Sequence, residues 1–448
     1  MPIHQSMPRA PGTWPLRGRL LAALAFLVLV GPAPAQIEER REEYPDGSTA
    51  KIYHVDGDGE PHGSWVEFFP SGKIRLRAQY RHGQLDGAYE SYREDGKRLS
   101  ERRYLKGEVQ KLCRYDADSR PIHVLERSRG ELVLKLKGAP DVVLFPRSLA
   151  AIRRDLTRID GAPVLDSTRP YEEEPSLTAP FAAGRPRPDL VAEGRRRAEA
   201  YRYLCGLPHE LAVDASLTNL AQHAALICCL IGELSHTPPQ PPGMPAALYA
   251  IARQGAAESN LHQGRSSIRQ SVDGYMDDSD DRNFRHVGHR RWILSPRMTR
   301  TGFGIVSGFC AMNVQDTSGR GLGPLSLAFP PPGYLPVDYF AGPHLAWHFS
   351  WDRSRVRIAN GERPRAELTL LDESYDIVGP IEVEQINVDD EAIGDMPALV
   401  FRPKFDAGQC RPGLRVLVEI KGIVMPKKER PIYLVELVEA QNPTTARK

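Results

Sequence analysis

The chain of 448 residues carries 59 Lys and Arg against 57 Asp and Glu, which gives a formal net charge of +2 at pH 7. Its length corresponds to two to four folding units, and so balanced a charge excludes binding to nucleic acid through a general positive field. Apolar residues make up 41% of the chain and charged residues 26%, which is typical of a folded protein and not of a disordered one. Six cysteines are too few for a scaffold held together by disulfides.

Residues 1–35 have the pattern of a secretory signal peptide. They contain three arginines and no acid, followed by an apolar run from Leu20 to Val30 and by the small residues Ala33 and Ala35. The run is too short for a stable membrane-spanning helix, and no later stretch is long and apolar enough to be one. Cleavage would change the net charge from +2 to −1. We therefore expect a secreted protein, periplasmic or extracellular, without a transmembrane span after cleavage.

A repeat of 24 residues follows the leader and covers residues 44–125. Each unit begins with Gly-x-aromatic-x-x-aromatic, and further glycines recur at the turns. Alternating residues before a Gly turn predict β-hairpins, which must stack into one extended sheet because each buries little surface alone. The aligned residues, each 24 after its partner, are Gly63 and Gly87, Trp65 and Tyr89, Phe68 and Tyr92, Gly72 and Gly96, Tyr80 and Tyr104, and Gly83 and Gly107.

These units resemble MORN-type repeats in the variant found in bacterial proteins. The resemblance implies a surface that contacts a protein or a lipid headgroup, and a passive β scaffold is the alternative. The next stretch, residues 126–185, predicts a β-rich segment followed by a linker, since runs such as Leu132 to Leu136 give way to a Pro- and charge-rich sequence without helical or strand periodicity.

Two helices are predicted after the linker. The first begins at Asp189 and ends before Gly206, and the second is capped by Asp214 and ends near Gly232. The segment Leu234-Ser235-His236 then places a histidine just beyond the helix.

Four motifs in this region are similar to those of the CAP superfamily, which includes cysteine-rich secretory proteins, antigen 5 and pathogenesis-related 1 proteins. They are Tyr201-x-x-x-Cys205-Gly206-Leu207-Pro208, Leu234-Ser235-His236, Ala257-Glu258-Ser259-Asn260-Leu261, and Gly288-His289-Arg290-Arg291-Trp292 followed by Gly302-Phe303-Gly304. The resemblance spans residues 186–326. It implies a CAP/SCP domain with an α-β-α sandwich and a cleft in which two histidines and two carboxylates converge.

By motif, the cleft residues are His236, Glu258, Asp278 and His289. The sequence departs from the family pattern twice: Ser259 stands between Glu258 and Asn260, and the second carboxylate is an Asp for which Asp277 is a rival. Two imidazoles suit a weakly held Zn²⁺ with His236 and His289 as its ligands. Disulfide formation after export would pair some cysteines, with Cys205 to Cys228 or Cys229 as one option.

Two functions remain open for such a chain, and a purely structural polar network in the cleft is the alternative to both. The first is a non-enzymatic extracellular binding module whose cleft holds a metal or small ligand; the second is a peptidase-like hydrolase acting on extracellular or cell-wall material, with Ser235 or a water as nucleophile. The absence of His-Glu-x-x-His and Gly-x-Ser-x-Gly motifs favours the first. Residues 329–440 predict an antiparallel β-sandwich similar to the β domain that follows CAP domains in some bacterial exported proteins. It would pack on the CAP domain or contact a wall component.

Overall fold

The computed structural model describes residues 37–439 except 137–138, 265–266, 322, 392 and 407. The predicted signal peptide lies outside these residues. Within them, no helix combines the length and the apolar character needed to cross a membrane.

The N-terminal region is one antiparallel sheet whose ten strands neighbour each other in chain order. This is the extended sheet of hairpins that the 24-residue period predicts, although it continues beyond residue 125. The strands are β1 (Glu38–Glu43), β2 (Thr49–Val55), β3 (Pro61–Phe68), β4 (Ile74–Arg81), β5 (Gln84–Tyr92), β6 (Arg98–Leu105), β7 (Glu108–Tyr115), β8 (Pro121–Ser128), β9 (Glu131–Leu134) and β10 (Val142–Val143).

The repeat period reflects the turn geometry of the sheet. The two-residue turns His82-Gly83 and Lys106-Gly107 have positive φ at both positions (47° and 75°, 50° and 80°). Such turns match the twist of the flanking strands and favour glycine at their second position. On one face, Trp65 lies 4.7 Å from the ring of Tyr53 and 5.3 Å from that of Tyr80, centroid to centroid.

The last strands of this sheet pack against the C-terminal region. Leu112 and Leu125, both fully buried, share a core with Leu371 and Leu434. Asp376 reinforces the contact by accepting hydrogen bonds from Arg102 (2.5 Å) and Arg114 (3.0 Å). The repeat sheet is therefore anchored at its C-terminal end.

The segment predicted as a linker contains a helix, α1 (Leu149–Asp160). Ser148 caps it by accepting a hydrogen bond from the Ala151 N–H at 3.2 Å, and Ile152, Leu156 and Ile159 form its buried stripe. The linker prediction for residues 126–185 is thus incomplete. The β-rich part agrees with strands β9 and β10, and a short hairpin, β11 (Tyr171–Glu173) with β12 (Arg185–Pro186), completes the segment.

The central region is a four-stranded sheet between two layers of helices. Its strands lie in the order β13-β15-β16-β14, where β13 pairs parallel with β15 and the other pairs are antiparallel. These elements are α2 (Pro188–Leu204), β13 (Ala212–Val213), α3 (Ala215–Ile231), α4 (Ala246–Glu258), β14 (Ser259–Gln263), α5 (Ile268–Asp277), α6 (Gly288–Ile293), β15 (Arg300–Val306) and β16 (Phe309–Asn313).

Two separate cores lie on the two faces of this sheet. Phe303 and Ile305 of β15 belong to the core that includes α2 and α5, whereas Val306 and Ala311 belong to the core of α3 and α4. Gly302 and Gly304 allow the α3 backbone to lie directly on β15. The central region thus combines helices and an internal sheet in a mixed α+β arrangement.

The C-terminal region consists of two larger sheets and a two-stranded one, in the orders β17-β19-β24-β23, β18-β27-β25-β21-β22 and β20-β26. The prediction of a wholly antiparallel arrangement is wrong at one pair, since β18 runs parallel to β27. The strands are β17 (Ser326–Phe329), β18 (Gly333–Pro336), β19 (Trp347–Trp351), β20 (Arg357–Ile358), β21 (Arg365–Leu371), β22 (Ile377–Ile381), β23 (Val383–Asp389), β24 (Ala398–Pro403), β25 (Arg415–Lys421), β26 (Ile423–Val424) and β27 (Ile432–Val438).

All six cysteines lie among the described residues and all are free thiols. The expected pairing of Cys205 with Cys228 or Cys229 is therefore wrong. Cys205 packs against the core on the α2 side of the central sheet, while Cys228 is buried in the core on the α3 side. The sheet itself keeps these thiols apart.

Candidate functional site

His236 is positioned by the end of α3. Asp214 caps the start of this helix through hydrogen bonds from the N–H groups of Ser216 and Leu217, and Gly232 ends it with φ of 75°. The exposed ring of His236 donates from Nδ1 to the carbonyl oxygen of Ala256 at 2.8 Å. Since Nδ1 carries the proton, Nε2 of the neutral ring is left as an acceptor toward the cleft.

His289 lies in α6 and is held by a buried carboxylate. Its Nδ1 donates to Oδ1 of Asp278 at 2.8 Å, and the Asp278 side chain is fully buried. Asp278 adopts a left-handed conformation (φ 46°) at the end of α5, which turns its side chain away from the helix direction. The carboxylate that contacts the imidazole is therefore Asp278 and not its rival Asp277.

The pKa of His289 is raised above that of a free imidazole. Burial of the ring lowers it, but the hydrogen bond and the charge of Asp278, together with the charge of Asp280, outweigh that effect. At neutral pH, a larger fraction of His289 is therefore protonated than of an isolated histidine. A buried carboxylate that orients an imidazole is the arrangement found around both metal-binding and proton-transferring histidines.

Arg290 fixes the backbone that carries Asp278. Its guanidinium is fully buried and donates to the carbonyl oxygens of Met276 (2.6 Å), Asp277 (2.5 Å) and Ala346 (2.5 Å). Burial lowers the pKa of Arg290 to about 10. The residue next to His289 therefore also connects the cleft to the C-terminal region.

Glu258 lies on the wall of the cleft, but the structure does not pair it with an imidazole. Its carboxylate accepts hydrogen bonds from Gln254 (3.0 Å) and Asn313 (3.4 Å). Asn260, two residues further on, donates from Nδ2 to the carbonyl oxygen of His289 at 2.9 Å. The Glu-Ser-Asn segment thus contributes one carboxylate to the wall and one amide that holds the second histidine in place.

The two imidazoles separate two adjacent cavities. Their ring centroids are 6.5 Å apart, and both rings line a cavity of about 400 Å³ and another of about 550 Å³. Arg282 and Asn283 are shared by both cavities. The smaller cavity also contains Glu258, Trp292, Gln315, Glu391 and Ile393, and the larger one Leu234, His262, Tyr275, Asp278 and Asp280.

Part of the cleft comes from the C-terminal region, which the sequence did not suggest. Glu391 and Ile393 line the smaller cavity, and Asp389 accepts hydrogen bonds from His286 (3.0 Å) and Arg291 (2.5 Å). His286 also lines the smaller cavity. No local pattern identifies these acids, because they lie about 100 residues beyond the histidines.

The donor chemistry of the cleft fits a divalent metal with two protein ligands. Each ring is hydrogen-bonded through Nδ1, which leaves Nε2 available to a metal ion. This is the usual arrangement around metal-binding histidines. In the part of the chain that the structure describes, the cleft does not bring three metal-ligating side chains within 4.8 Å of one another. Water or a ligand would have to complete the coordination shell, so binding at this site is expected to be weak.

Asp278→Asn is expected to lower the pKa of His289 relative to the wild type. The substitution removes the charge of Asp278, which raises this pKa, and leaves the burial that lowers it. An NMR titration of the His289 ring measures the shift directly. Asp277→Asn is the matched control, because its side chain does not contact the ring; an equal shift in both variants would contradict the assignment of Asp278.

Comparison with known proteins identifies the domain that holds this cleft. Residues 197–313 match the family model described as CAP, the cysteine-rich secretory protein family. No curated protein matches the chain significantly.

Two similar solved structures are an extracellular protein containing an SCP domain from Bacillus anthracis str. Ames and a cysteine-rich secretory protein from Staphylococcus aureus subsp. aureus Mu50. The first is 12% identical, with 57% of this chain and 86% of that chain covered and a TM-score of 0.22. The second is 8% identical, with 62% and 84% covered and a TM-score of 0.21. The chain contains a CAP domain at residues 197–313.

Proposed function

We propose that this chain is an exported binding protein whose CAP cleft holds a divalent metal ion such as Zn²⁺ through Nε2 of His236 and His289. The observation that carries the proposal is that both rings are fixed through Nδ1, one by the Ala256 carbonyl and one by Asp278. Each ring then presents its second nitrogen to the same cleft. A bound ion would supply a positive charge that attracts a carboxylate or another anionic group of a small ligand.

The expected affinity is modest for a geometric reason. Two imidazoles that share a tetrahedral Zn²⁺ with bonds of about 2.1 Å have ring centroids about 5 Å apart, whereas those of His236 and His289 are 6.5 Å apart. The rings must approach before both can bind one ion. His236 is the more exposed of the two rings, so this ring would have to shift, and its hydrogen bond to the Ala256 carbonyl would change with it. Glu258, on the cavity wall, is placed to favour a cation.

The other regions supply contacts in this proposal. The signal-peptide pattern of residues 1–35 directs the chain to the periplasm or the extracellular space. The repeat sheet, read as MORN-like, would contact a protein, a lipid headgroup or a cell-wall component, and the C-terminal sheets would both support the cleft and add to that surface. Their contribution of Glu391 and Ile393 to the smaller cavity supports a joint role with the CAP domain.

A hydrolase is the second candidate function, and the Asp278–His289 pair favours it. A buried carboxylate that orients a histidine with a raised pKa provides a general base or acid. The nucleophile would be water: the Ser235 hydroxyl oxygen accepts a hydrogen bond from the Thr237 N–H, and no bond from it to either imidazole is present among the described residues. The non-enzymatic proposal needs no such nucleophile.

Zinc binding tests the proposal. We expect His236→Ala and His289→Ala each to weaken Zn²⁺ binding at the cleft at least 10-fold, because a single imidazole remains. Isothermal titration of the full chain, purified without a histidine tag, measures this, and His223→Ala on the outer side of α3 serves as control. Zinc binding indistinguishable from wild type in both cleft variants would overturn the metal proposal. A hydrolytic activity lost in both would replace it with the second candidate.

A further inference from the structure

Three metal-ligating side chains meet at one edge of the repeat sheet, far along the chain from the CAP cleft. They are Asp56, His62 and His82, and one ligand atom from each lies within 4.8 Å of the other two. Asp56 follows β2, His62 lies at the start of β3, and His82 is in the turn between β4 and β5. The cluster therefore connects two neighbouring turns that the hydrogen bond from Gly83 N–H to the Pro61 carbonyl (2.9 Å) already joins.

The two oxygens of the Asp56 carboxylate have different partners. Oδ1 accepts hydrogen bonds from the backbone N–H groups of Asp58 (3.2 Å) and Glu60 (3.1 Å), which hold the turn. Oδ2 faces the two histidines, 3.1 Å from Nδ1 of His82 and 3.8 Å from Nδ1 of His62. The Asp56 side chain is only 5% exposed. The turn hydrogen bonds account for Oδ1 and do not require the two histidines. These are held by a hydrogen bond from Nδ1 of His82 to Oδ2 and by one from the His82 N–H to Nδ1 of His62 at 3.4 Å.

The repeat does not account for the three residues either. The positions 24 residues later hold Tyr80, Asp86 and Lys106, which do not form a metal-ligating set. The turn between β7 and β8, which has the same hydrogen-bond pattern, supplies a second comparison. Asp116 accepts from the N–H groups of Asp118 and Arg120 through Oδ1, as Asp56 does, and it is not part of a metal-ligating group among the described residues. This type of turn therefore forms without such a cluster.

The geometry points to a second metal site, in which Asp56, His62 and His82 bind a divalent ion of the Zn²⁺ class. Ligand atoms around a tetrahedral Zn²⁺ with bonds of about 2.0–2.1 Å lie about 3.3–3.4 Å apart, and the two distances from Oδ2, 3.1 and 3.8 Å, bracket that value. The rings of His62 and His82 are 4.6 Å apart at their centroids. One carboxylate with two imidazoles suits Zn²⁺ and not Ca²⁺ or Mg²⁺, which prefer oxygen ligands.

The bound ion would join the turn after β2 to the turn after β4, and so hold together the free end of the repeat sheet. Water would occupy the fourth position, because His82 is exposed. Binding at Nδ1 of His82 displaces the proton that this nitrogen shares with Asp56. Zinc uptake at the cluster would therefore release protons and weaken as the pH falls.

The test uses the full chain without a histidine tag, in a His236→Ala/His289→Ala background that removes the cleft ligands. We expect this background to bind one equivalent of Zn²⁺, and the added substitution Asp56→Asn to abolish it. The Asn side-chain oxygen can still accept the turn hydrogen bonds, so the turn is kept while the carboxylate is lost. Asp116→Asn in the same background is the matched control and should still bind one equivalent of Zn²⁺.

Amide hydrogen exchange shows which residues the bound ion protects. The zinc concentration is set to about 100 times the dissociation constant. The exchange rates of those amides of residues 56–62 and 82–83 that exchange when the cluster opens should then fall about 100-fold. The exchange rates of the amides in the Lys106-Gly107 turn should stay unchanged. Zinc binding that survives Asp56→Asn, no zinc binding in the background, or protection absent from these two turns would each overturn the proposal. A failure here leaves the cleft proposal untouched, because the cleft is measured with other variants.

Discussion

Asp160→Ala is expected to lower the free energy of unfolding by about 3–5 kcal/mol, the usual cost of leaving buried charges without their partner. Asp160 ends α1, and its side chain is 2% exposed. It accepts hydrogen bonds from Arg197 (3.1 Å), from Tyr339 (2.8 Å) and from both terminal nitrogens of Arg269. One carboxylate at the end of α1 thus connects this helix to α2 and α5 and to the start of the C-terminal region.

The effect of Asp160→Ala should depend on pH in a defined direction. Burial raises the pKa of Asp160, but the hydrogen bonds and charges of Arg269 and Arg197 outweigh it, and the net pKa is lowered. A carboxyl whose pKa is lower in the folded state stabilises that state above its unfolded pKa of about 3.9, and this stabilisation is lost as the pH falls through the folded value. The difference in the free energy of unfolding between wild type and variant should therefore be largest at pH 7 and should decrease below about pH 4.

Urea denaturation of both proteins across this pH range provides the measurement. Asp141→Ala is the control, since Asp141 forms an exposed ion pair with Lys135 at 2.8 Å, and such pairs contribute about 1 kcal/mol or less. Equal losses of stability for Asp160→Ala and Asp141→Ala at pH 7 would contradict the role given to the buried network.

Gly302→Ala is expected to destabilise the protein by about 3 kcal/mol, the upper range for overpacking a core. A Cβ at Gly302 would lie 2.1 Å from the Thr218 nitrogen and 2.2 Å from the Leu217 carbonyl carbon. These are backbone atoms of α3, so no side-chain rotation relieves the clash and the helix must move. Because α3 leads into the loop of His236, the same substitution should also weaken zinc binding in the cleft.

Gly379→Ala in β22 is the matched control for this prediction. It is also a strand glycine, yet a Cβ there would find nothing within 4 Å, and its expected effect on stability is below about 1 kcal/mol. Chemical denaturation and zinc titration of both variants measure the two effects. A Gly302→Ala protein as stable as Gly379→Ala would show that α3 does not rest on β15 as described.

The features predictable from sequence are those set by local chemistry. The hairpin repeat is visible in the sequence because turns such as His82-Gly83 require positive φ and therefore favour glycine at a regular spacing. The Asp214 cap and the Gly232 terminus mark the ends of α3. The helix α1 also carries a local signal, the spacing of Ile152, Leu156 and Ile159, which the Pro- and charge-rich surroundings conceal.

The features that escaped prediction depend on distant parts of the chain. The choice between Asp277 and Asp278 is decided by the left-handed backbone at the end of α5 and by Arg290, which holds that loop through carbonyl oxygens. The acidic wall comes from Asp389, the last residue of β23, and from Glu391 just after this strand. The parallel pairing of β18 with β27 joins residues about 100 positions apart. None of these leaves a periodic trace in the sequence.

We propose above that His236 and His289 bind one divalent metal ion through their Nε2 atoms. Crystals of the full chain grown with Zn²⁺, measured on both sides of the zinc absorption edge, test it most directly. We predict an anomalous difference peak between the two rings, within about 2.0–2.1 Å of each Nε2, together with the hydrogen bond from His289 to Asp278 seen here at 2.8 Å. A zinc-loaded crystal without a peak between these two rings would contradict the account.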